Sequence, residues 1–341
     1  MKKYNVAILG ATGAVGTELL RILESRKFPF NELKLLALEV GTVIPFMGKN
    51  YTVEEANAEA FKGIDIALFA GGPISKVMAP EAVKAGAVVI DNSSTFRMDP
   101  QVPLVIPEVN PEDLDRHHGI IANPNCSTII MVMALNPIHQ QAQLRRVVVS
   151  TCQAVSGAGK AAIDELNNQA RDILAGKEPQ ASILPVGSLE KHYPVAFNII
   201  PQIDVFHEDG YTKEDMKLVN ETKKIMHLPD LRITVTTTRV PVIRSHSEFL
   251  NIETEKKLTV PETKEILAKA PGVIVKDNPA KQEYPMPAFT SGLDEVFVGR
   301  IREDNTVPAG LNLWVVGDQI RKGAALNAVQ IAEKMIERNL I

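Results

Sequence analysis

The chain has 341 residues, 45% hydrophobic and 23% charged, with 37 basic against 41 acidic side chains for a net charge of −4. That near balance, without a dense run of Lys and Arg, argues against nucleic acid or a membrane surface as partner. No apolar stretch approaches the roughly 20 residues that cross a bilayer. The only cysteines, Cys126 and Cys152, are too few for a disulfide framework, so a reduced, cytoplasmic protein is expected.

Two lysines precede an apolar run at 6–9, but the run is shorter than a signal-peptide core and no cleavage site follows. Residues 5–9 read instead as a buried strand. A helix is predicted over 15–26, strands over 33–38 and 64–69, a helix over 77–85 and a strand over 88–91. This βαβ rhythm predicts a parallel sheet covered by helices on both faces. A helix over 128–136 then leads to a β-branched strand at 146–151, a Gly-rich turn at 156–159 and a polar helix to Leu174. Residues 176–210 read as an irregular excursion, 213–226 as a helix, and 231–242, 248–254, 296–302 and 312–316 as strands. An apolar-faced helix over 323–338 ends the chain. The fold class expected is α/β: a Rossmann-type N-terminal nucleotide-binding domain over 1–125, completed by the terminal helix at 322–341, plus an α/β catalytic and dimerisation domain over 126–321.

Gly10-Ala11-Thr12-Gly13-Ala14-Val15-Gly16 lies between the first strand and the first helix. Glycines there let main-chain N–H groups approach a pyrophosphate, and the helix start offers free donors and a favourable dipole. The spacing G-x-x-G-x-x-G differs from the commoner G-x-G-x-x-G, yet its strand–turn–helix context points to a dinucleotide. An acidic residue ending the second strand would read the ribose 2′-OH of NAD, and Glu39 stands there.

Asn123-Pro124-Asn125-Cys126-Ser127-Thr128 precedes an apolar helix and places Cys126 at its start, where unpaired N–H groups favour a thiolate. Cys152 follows a strand, lacks that context and reads as packing. Among seven histidines, His246 lies in a stretch joining two strands that also carries Arg239 and Arg244. Spacing alone does not select it as the proton carrier that a nucleophile needs.

Beyond these motifs the chain carries DNSSTFRM at 91–98, PEVN at 107–110, Gln153 with 156–160, residues 197–204, NETKK at 220–224, the run 239–248, FVGR at 297–300 and residues 314–330. In this order and together with the turn at 10–16 and the segment at 123–128, they resemble the aspartate-β-semialdehyde dehydrogenase family over nearly the whole chain. The resemblance implies reduction of β-aspartyl phosphate to aspartate β-semialdehyde with release of inorganic phosphate, in the biosynthesis of lysine, threonine and methionine. It further implies Cys126 as thioester-forming nucleophile, His246 as acid/base and Gln153 as the residue orienting the acyl group. Arg239 would grip the α-carboxylate and Glu221 face the amino group, while Lys224, Arg97 and Asn125 would hold the phosphate. Gly10, Thr12, Gly13, Ala14, Val15 and Gly16 would hold the cofactor pyrophosphate, with Ser156, Gly157 and Gln319 on the nicotinamide side. No metal is implied, and family members assemble as homodimers or homotetramers.

One segment departs from the family. Members using NADP usually carry an Arg-Ser pair after the second strand, where this chain has Glu39-Val40-Gly41. A carboxylate with no neighbouring cation repels a 2′-phosphate, so NAD is expected over NADP unless a cation such as Lys49 supplies the charge. The nearest alternatives are an N-acetyl-glutamyl-phosphate reductase-like or other phosphorylating aldehyde dehydrogenase and, in another class, a non-catalytic nucleotide-sensing protein.

Overall fold

In a computed structural model that describes residues 2–341, the chain forms two compact units. The first runs to Asn125 and includes Gly323–Ile341; the second is Cys126–Lys322.

The first unit comprises β1 (Tyr4–Leu9), α1 (Ala14–Ser25), β2 (Phe30–Ala37), β3 (Val43–Phe46), β4 (Lys49–Thr52), β5 (Glu54–Glu55), β6 (Ile66–Phe69), α2 (Ser75–Lys84), β7 (Val88–Asp91) and β8 (Ile120–Ala122). Six strands form one parallel sheet in the order β5-β2-β1-β6-β7-β8. Val6, Ala7, Ile8 and Leu9 are all buried, as a strand covered on both faces requires. The chain winds outward from β1 through β2 and then returns to the other edge of β1 with β6. That reversal opens a crevice at the carboxyl ends of β1 and β6, where open parallel sheets bind ligands.

Leu19, Ile22 and Leu23 of α1 share a core with Leu326, Val329, Ile331 and Met335 of the terminal helix, Leu326–Glu337. A buried polar anchor adds direction to that packing. Asn327 donates to the Val105 carbonyl at 2.9 Å and to Asn123 Oδ1 at 2.7 Å, and Asn123 donates to Asn92 Oδ1 at 2.8 Å. The β3–β4 hairpin lies in a stretch the sequence left unassigned. Its two-residue turn places Met47 at φ 47° and Gly48 at φ 75°, the left-handed pair of a tight hairpin, and Met is an unusual occupant there.

The second unit comprises α3 (Cys126–Ala142), β9 (Leu144–Gln153), α4 (Lys160–Leu174), α5 (Lys213–Ile225), β10 (Arg232–Arg239), β11 (His246–Thr254), α6 (Val260–Lys269), β12 (Val273–Val275), α7 (Pro287–Thr290), β13 (Val296–Asp304) and β14 (Gly310–Gly317). Its mixed sheet runs β10-β9-β11-β14-β13-β12. Helix α3 outruns its predicted end at 136 by passing through Pro137. The buried Ile138 and Ala142 beyond it offset the lost hydrogen bond. Strand β10 stops at Arg239, ahead of Pro241, and β11 begins at His246 rather than at 248, so this histidine is a strand residue.

Glu248 of β11 lies opposite Thr151 and Val315, fully buried, with no partner for either carboxylate oxygen. Burial pushes its carboxyl well above the usual range of about 4.5, so it folds as the neutral acid. Above the unfolded value the unfolded chain binds fewer protons than the folded one. Stability therefore falls as pH rises, by about 1.4 kcal/mol per unit, until the folded carboxyl itself ionises. Glu248→Gln, shaped like the neutral acid, removes that slope. In thermal melts taken upward from the usual carboxylate range the variant should gain on the wild type with pH, and a pH-independent difference would contradict a neutral Glu248.

Candidate active site

The glycine turn follows β1 at the crevice of the first unit. Two of its glycines answer the needs of the chain itself. A Cβ on Gly10, at φ +85°, would meet the main chain of Ala70 at 2.7 Å, and one on Gly16 would meet the Gly10 carbonyl oxygen at 2.2 Å. Gly10 thus lets the turn cross the end of β6, and Gly16 lets α1 press against the turn. Gly13 is the N-cap of α1 and donates to the Gly10 carbonyl at 3.1 Å. Thr12, Gly13 and Ala14 are exposed. The first-turn N–H groups at Ala14, Val15 and Gly16 have no acceptor within the helix, which suits a pyrophosphate. At the end of β2, Leu38, Glu39 and Val40 all face solvent, and Lys49 on β4 is exposed.

In the second unit, strand register builds the site. Arg239 of β10 pairs with Gln153 of β9. Ser247 of β11 pairs with Cys152, which sets His246 across from Gln153, and His246 pairs with Gly317 of β14. Directly opposed residues share a face, so Arg239, Gln153 and His246 form one cross-strand row. All three are buried, His246 completely. Cys126 opens helix α3, which packs on this sheet, and lies close enough to Arg239 for a charge on its sulfur to act on that guanidinium. A Cβ on Gly317 would stand 2.9 Å from the Ile130 side chain, so the bare glycine lets α3 pack close at the end of the row.

The main chain of Ala154 ties the row together. Its N–H donates to His246 Nδ1 at 3.0 Å, and its carbonyl accepts from Arg239 Nη1 at 2.7 Å. Burial and then the Arg239 charge hold the His246 imidazole well below its usual value, so it is neutral. Burial also pulls Arg239 down, against the charges of Glu214 and Cys126, yet a guanidinium stays protonated. His246 Nε2 and Arg239 Nε have no protein partner although both are buried, as donors reserved for a substrate would be.

The acidic residue that the structure brings to this row is Glu214, not the Glu221 expected from the resemblance. Gln153 Nε2 donates to Glu214 Oε1 at 3.3 Å, and the Glu214 charge acts on Arg239. Glu221 is also buried on α5 but lies seven residues on, about 10 Å along the axis. Lys217, not Lys224, completes the pair, reaching Glu214 at 3.0 Å and Asp204 at 3.1 Å. Burial lowers the Lys217 ammonium, but the two carboxylates outweigh it and raise it. Glu214-x-x-Lys217 repeats the spacing of Glu221-x-x-Lys224 one helical face-repeat earlier, which is the signal that sequence reasoning passed over.

Ser156 and Gln319, expected beside a nicotinamide, hydrogen-bond each other, and Gln319 Oε1 also accepts from the Ser245 N–H at 2.8 Å. Ser245 precedes His246 at φ 73°, a left-handed conformation costing a non-glycine residue about 1–2 kcal/mol. Its hydroxyl accepts from Thr290 at 3.1 Å and shares a hydrogen bond with the Ser291 hydroxyl at 3.2 Å, so three contacts hold the strained residue. Arg244 turns away to Asp318 at 2.6 Å. In the first unit, Arg97 donates to the main-chain carbonyls of Asn123 at 3.0 Å and Asn92 at 2.8 Å, and Asn125 is buried. Among the described residues no group of three His, Cys, Asp or Glu side chains is placed to hold a metal ion, and no helix is long and apolar enough to cross a membrane.

Residues 5–117 match the semialdehyde dehydrogenase NAD binding domain, and 135–322 match the semialdehyde dehydrogenase dimerisation domain. The chain is 56% identical over 345 residues to an aspartate-semialdehyde dehydrogenase of Aquifex aeolicus, covering 99% of each chain. It is 53% identical over 341 residues to that of Bacillus subtilis, again covering 99% of each. A crystal structure of aspartate semialdehyde dehydrogenase II complexed with ASA from Vibrio cholerae superposes with a TM-score of 0.93 at 43% identity over 99% of both chains.

Gly157 tests the geometry of the row. A Cβ there would stand 3.0 Å from Arg239 Nη1 and 3.3 Å from His246 Nε2. Gly157 is exposed with an ordinary φ, so Gly157→Ala should leave the melting temperature within a few degrees of wild type. Catalytic efficiency should fall about 10- to 100-fold, because small displacements of positioning groups are costly. Steady-state kinetics with unchanged efficiency would count against a substrate-facing row.

Proposed function

The chain belongs to the semialdehyde dehydrogenase family, and from that premise we propose that it reduces β-aspartyl phosphate to aspartate β-semialdehyde, releasing phosphate. The observation carrying this reading is the row Arg239–Gln153–His246 on the sheet that α3 covers from Cys126 onward. A nucleophile, an amide that can orient an acyl group and a buried guanidinium for a carboxylate meet the needs of this substrate.

Cys126 attacks the acyl carbon as thiolate, phosphate departs and a thioester remains on the sulfur. Arg239 clamps the α-carboxylate, with its unpaired Nε as the free donor. Glu214 takes the substrate ammonium, the role first read on Glu221. In the second unit Lys217 joins Lys224 as a candidate for the leaving phosphate; in the first unit the resemblance assigns that role to Arg97 and Asn125. Gln153, held by Glu214, orients the acyl group. The first-turn donors of α1 suit a dinucleotide, and a reduced nicotinamide would supply the hydride that turns a thioester into an aldehyde. Exposed Glu39, flanked by Leu38 and Val40 with no Arg, supports NAD over NADP. Phe249, 52% exposed and with its ring tilted against that of Trp314 at 4.5 Å between centroids, marks the uncovered sheet face that we assign to a homodimer contact. A thiol nucleophile and two free cysteines fit the reducing cytoplasm.

A phosphate-dependent assay with aspartate β-semialdehyde and each nucleotide tests the reading. Cys126→Ala should abolish turnover and leave nucleotide binding intact; an active variant would refute the nucleophile. Glu214→Gln should raise the KM for the semialdehyde about 10- to 100-fold, the worth of a charge-assisted hydrogen bond, and Glu221→Gln much less. Higher efficiency with NADP than with NAD would overturn the cofactor assignment.

A further inference from the structure

A second concavity of the same unit lies at the far ends of the elements that carry the site. Cys126 is the first residue of α3, Glu214 the second of α5 and His246 the first of β11, whereas Gln153 and Arg239 are the last residues of β9 and β10. The opposite ends of these elements come together around a cavity of about 530 Å³. Its wall takes Leu144 and Arg145 from the start of β9, the 227–231 loop that joins α5 to β10, Arg232 from the start of β10 and Glu255 just after β11. Helix α3 is tied in at its last turn. The carbonyls of Ala142 and Gln143 accept from the Glu255 N–H at 3.0 and 2.8 Å, and His139 Nδ1 accepts from the Leu144 N–H at 3.1 Å. A strand rises about 3.3 Å per residue, so the length of β9 sets the cavity roughly 25 Å from the row.

The lining selects a kind of ligand. Leu144 and Leu231 are buried and, with Leu228 and Pro229, make its apolar part. Two guanidiniums and two carboxylates make the charged part, with the exposed His227 beside them. Arg145 and Glu255 pair at 3.1 Å, both about half exposed. Among the described residues the side chains of Asp230 and Arg232 make no hydrogen bond or ion pair. An anion alone would meet two carboxylates here, and a cation alone two guanidiniums. A molecule with both charges and an apolar chain suits every group: its carboxylate takes Arg232 and Arg145, and its ammonium takes Asp230 and Glu255. The volume falls within the range of about 300–1,000 Å³ that small-molecule sites occupy.

We propose that this cavity is an effector site for a zwitterionic α-amino acid with an apolar side chain, and that filling it tightens substrate binding at the row. The ligand bridges the α5–β10 loop to the ends of β9 and β11. Glu214 and Arg239 reach the row through α5 and β10, Gln153 and His246 through β9 and β11. A bridge at the far end thus favours the alignment that the substrate also favours, and the coupling is positive and reciprocal. The effect on turnover rests on the function proposed above; the binding does not. Isothermal titration of the full-length protein with L-leucine should give a Kd of about 1 mM or tighter. Isocaproate, without the ammonium, and leucinamide, without the carboxylate, should each bind about tenfold more weakly or worse. Arg232→Gln and Asp230→Asn should weaken leucine to the same extent and leave kinetics without leucine unchanged. In the wild type, leucine should lower the KM for the semialdehyde about fivefold or more. A weaker Kd, equal binding of either analogue or an undiminished affinity in both variants would overturn the site. A KM that stays level would overturn the coupling, and one that rises would show competition at the row instead. Failure of the wild type in the phosphate-dependent assay would refute the proposed function, and the titrations would still decide the site.

Discussion

Register in the second sheet is the constraint on which the site depends. Arg239, Gln153, His246 and Gly317 come from neighbouring strands and fall in line because parallel β10–β9 and antiparallel β9–β11–β14 pairings are set together. Side chains alternate faces along a strand, so a slip by one residue in any of these pairs would carry its member to the other face. The Ala154 peptide groups reinforce the alignment by binding one ring and one guanidinium at once. Gly317 contributes by having no side chain, which brings α3, and Cys126 at its head, down onto the row.

Charge is arranged around that row so that no buried ion stands alone. Arg239 is opposed by Glu214, Glu214 is bridged by Lys217, and Lys217 is shared with Asp204. A buried ion without a partner would cost several kcal/mol, whereas a chain of opposite charges offsets most of that penalty. The neutral His246 fits the same logic, since a second cation beside Arg239 would have no matching anion. Glu248 obeys the rule differently: lacking any partner, it is folded without its charge.

The alternating first third was legible because its strands are continuous apolar runs and its helix has a broad apolar face. Cys126 was legible because Asn-Pro-Asn before an apolar helix is a local start signal. Other features were not. Helix α6 escaped notice although Thr259 and Glu262 form a capping box, because no strong apolar stripe follows them. The role of Ala154 resides in its main chain, which the residue name does not display. Choosing between Glu214 and Glu221 requires knowing which turn of α5 meets Gln153, a tertiary fact invisible to spacing along one helix.

Chain order adds a last consequence. The core of the first unit, which contains β1 and its glycine turn, is finished only by Leu326, Val329, Ile331 and Met335. During synthesis those residues leave the ribosome after the whole of Cys126–Lys322. The nucleotide-binding unit thus waits, with one side of its apolar core open, while the later-encoded unit can already close around its own sheet. Domains usually fold in the order they are made, and here the order of completion is reversed.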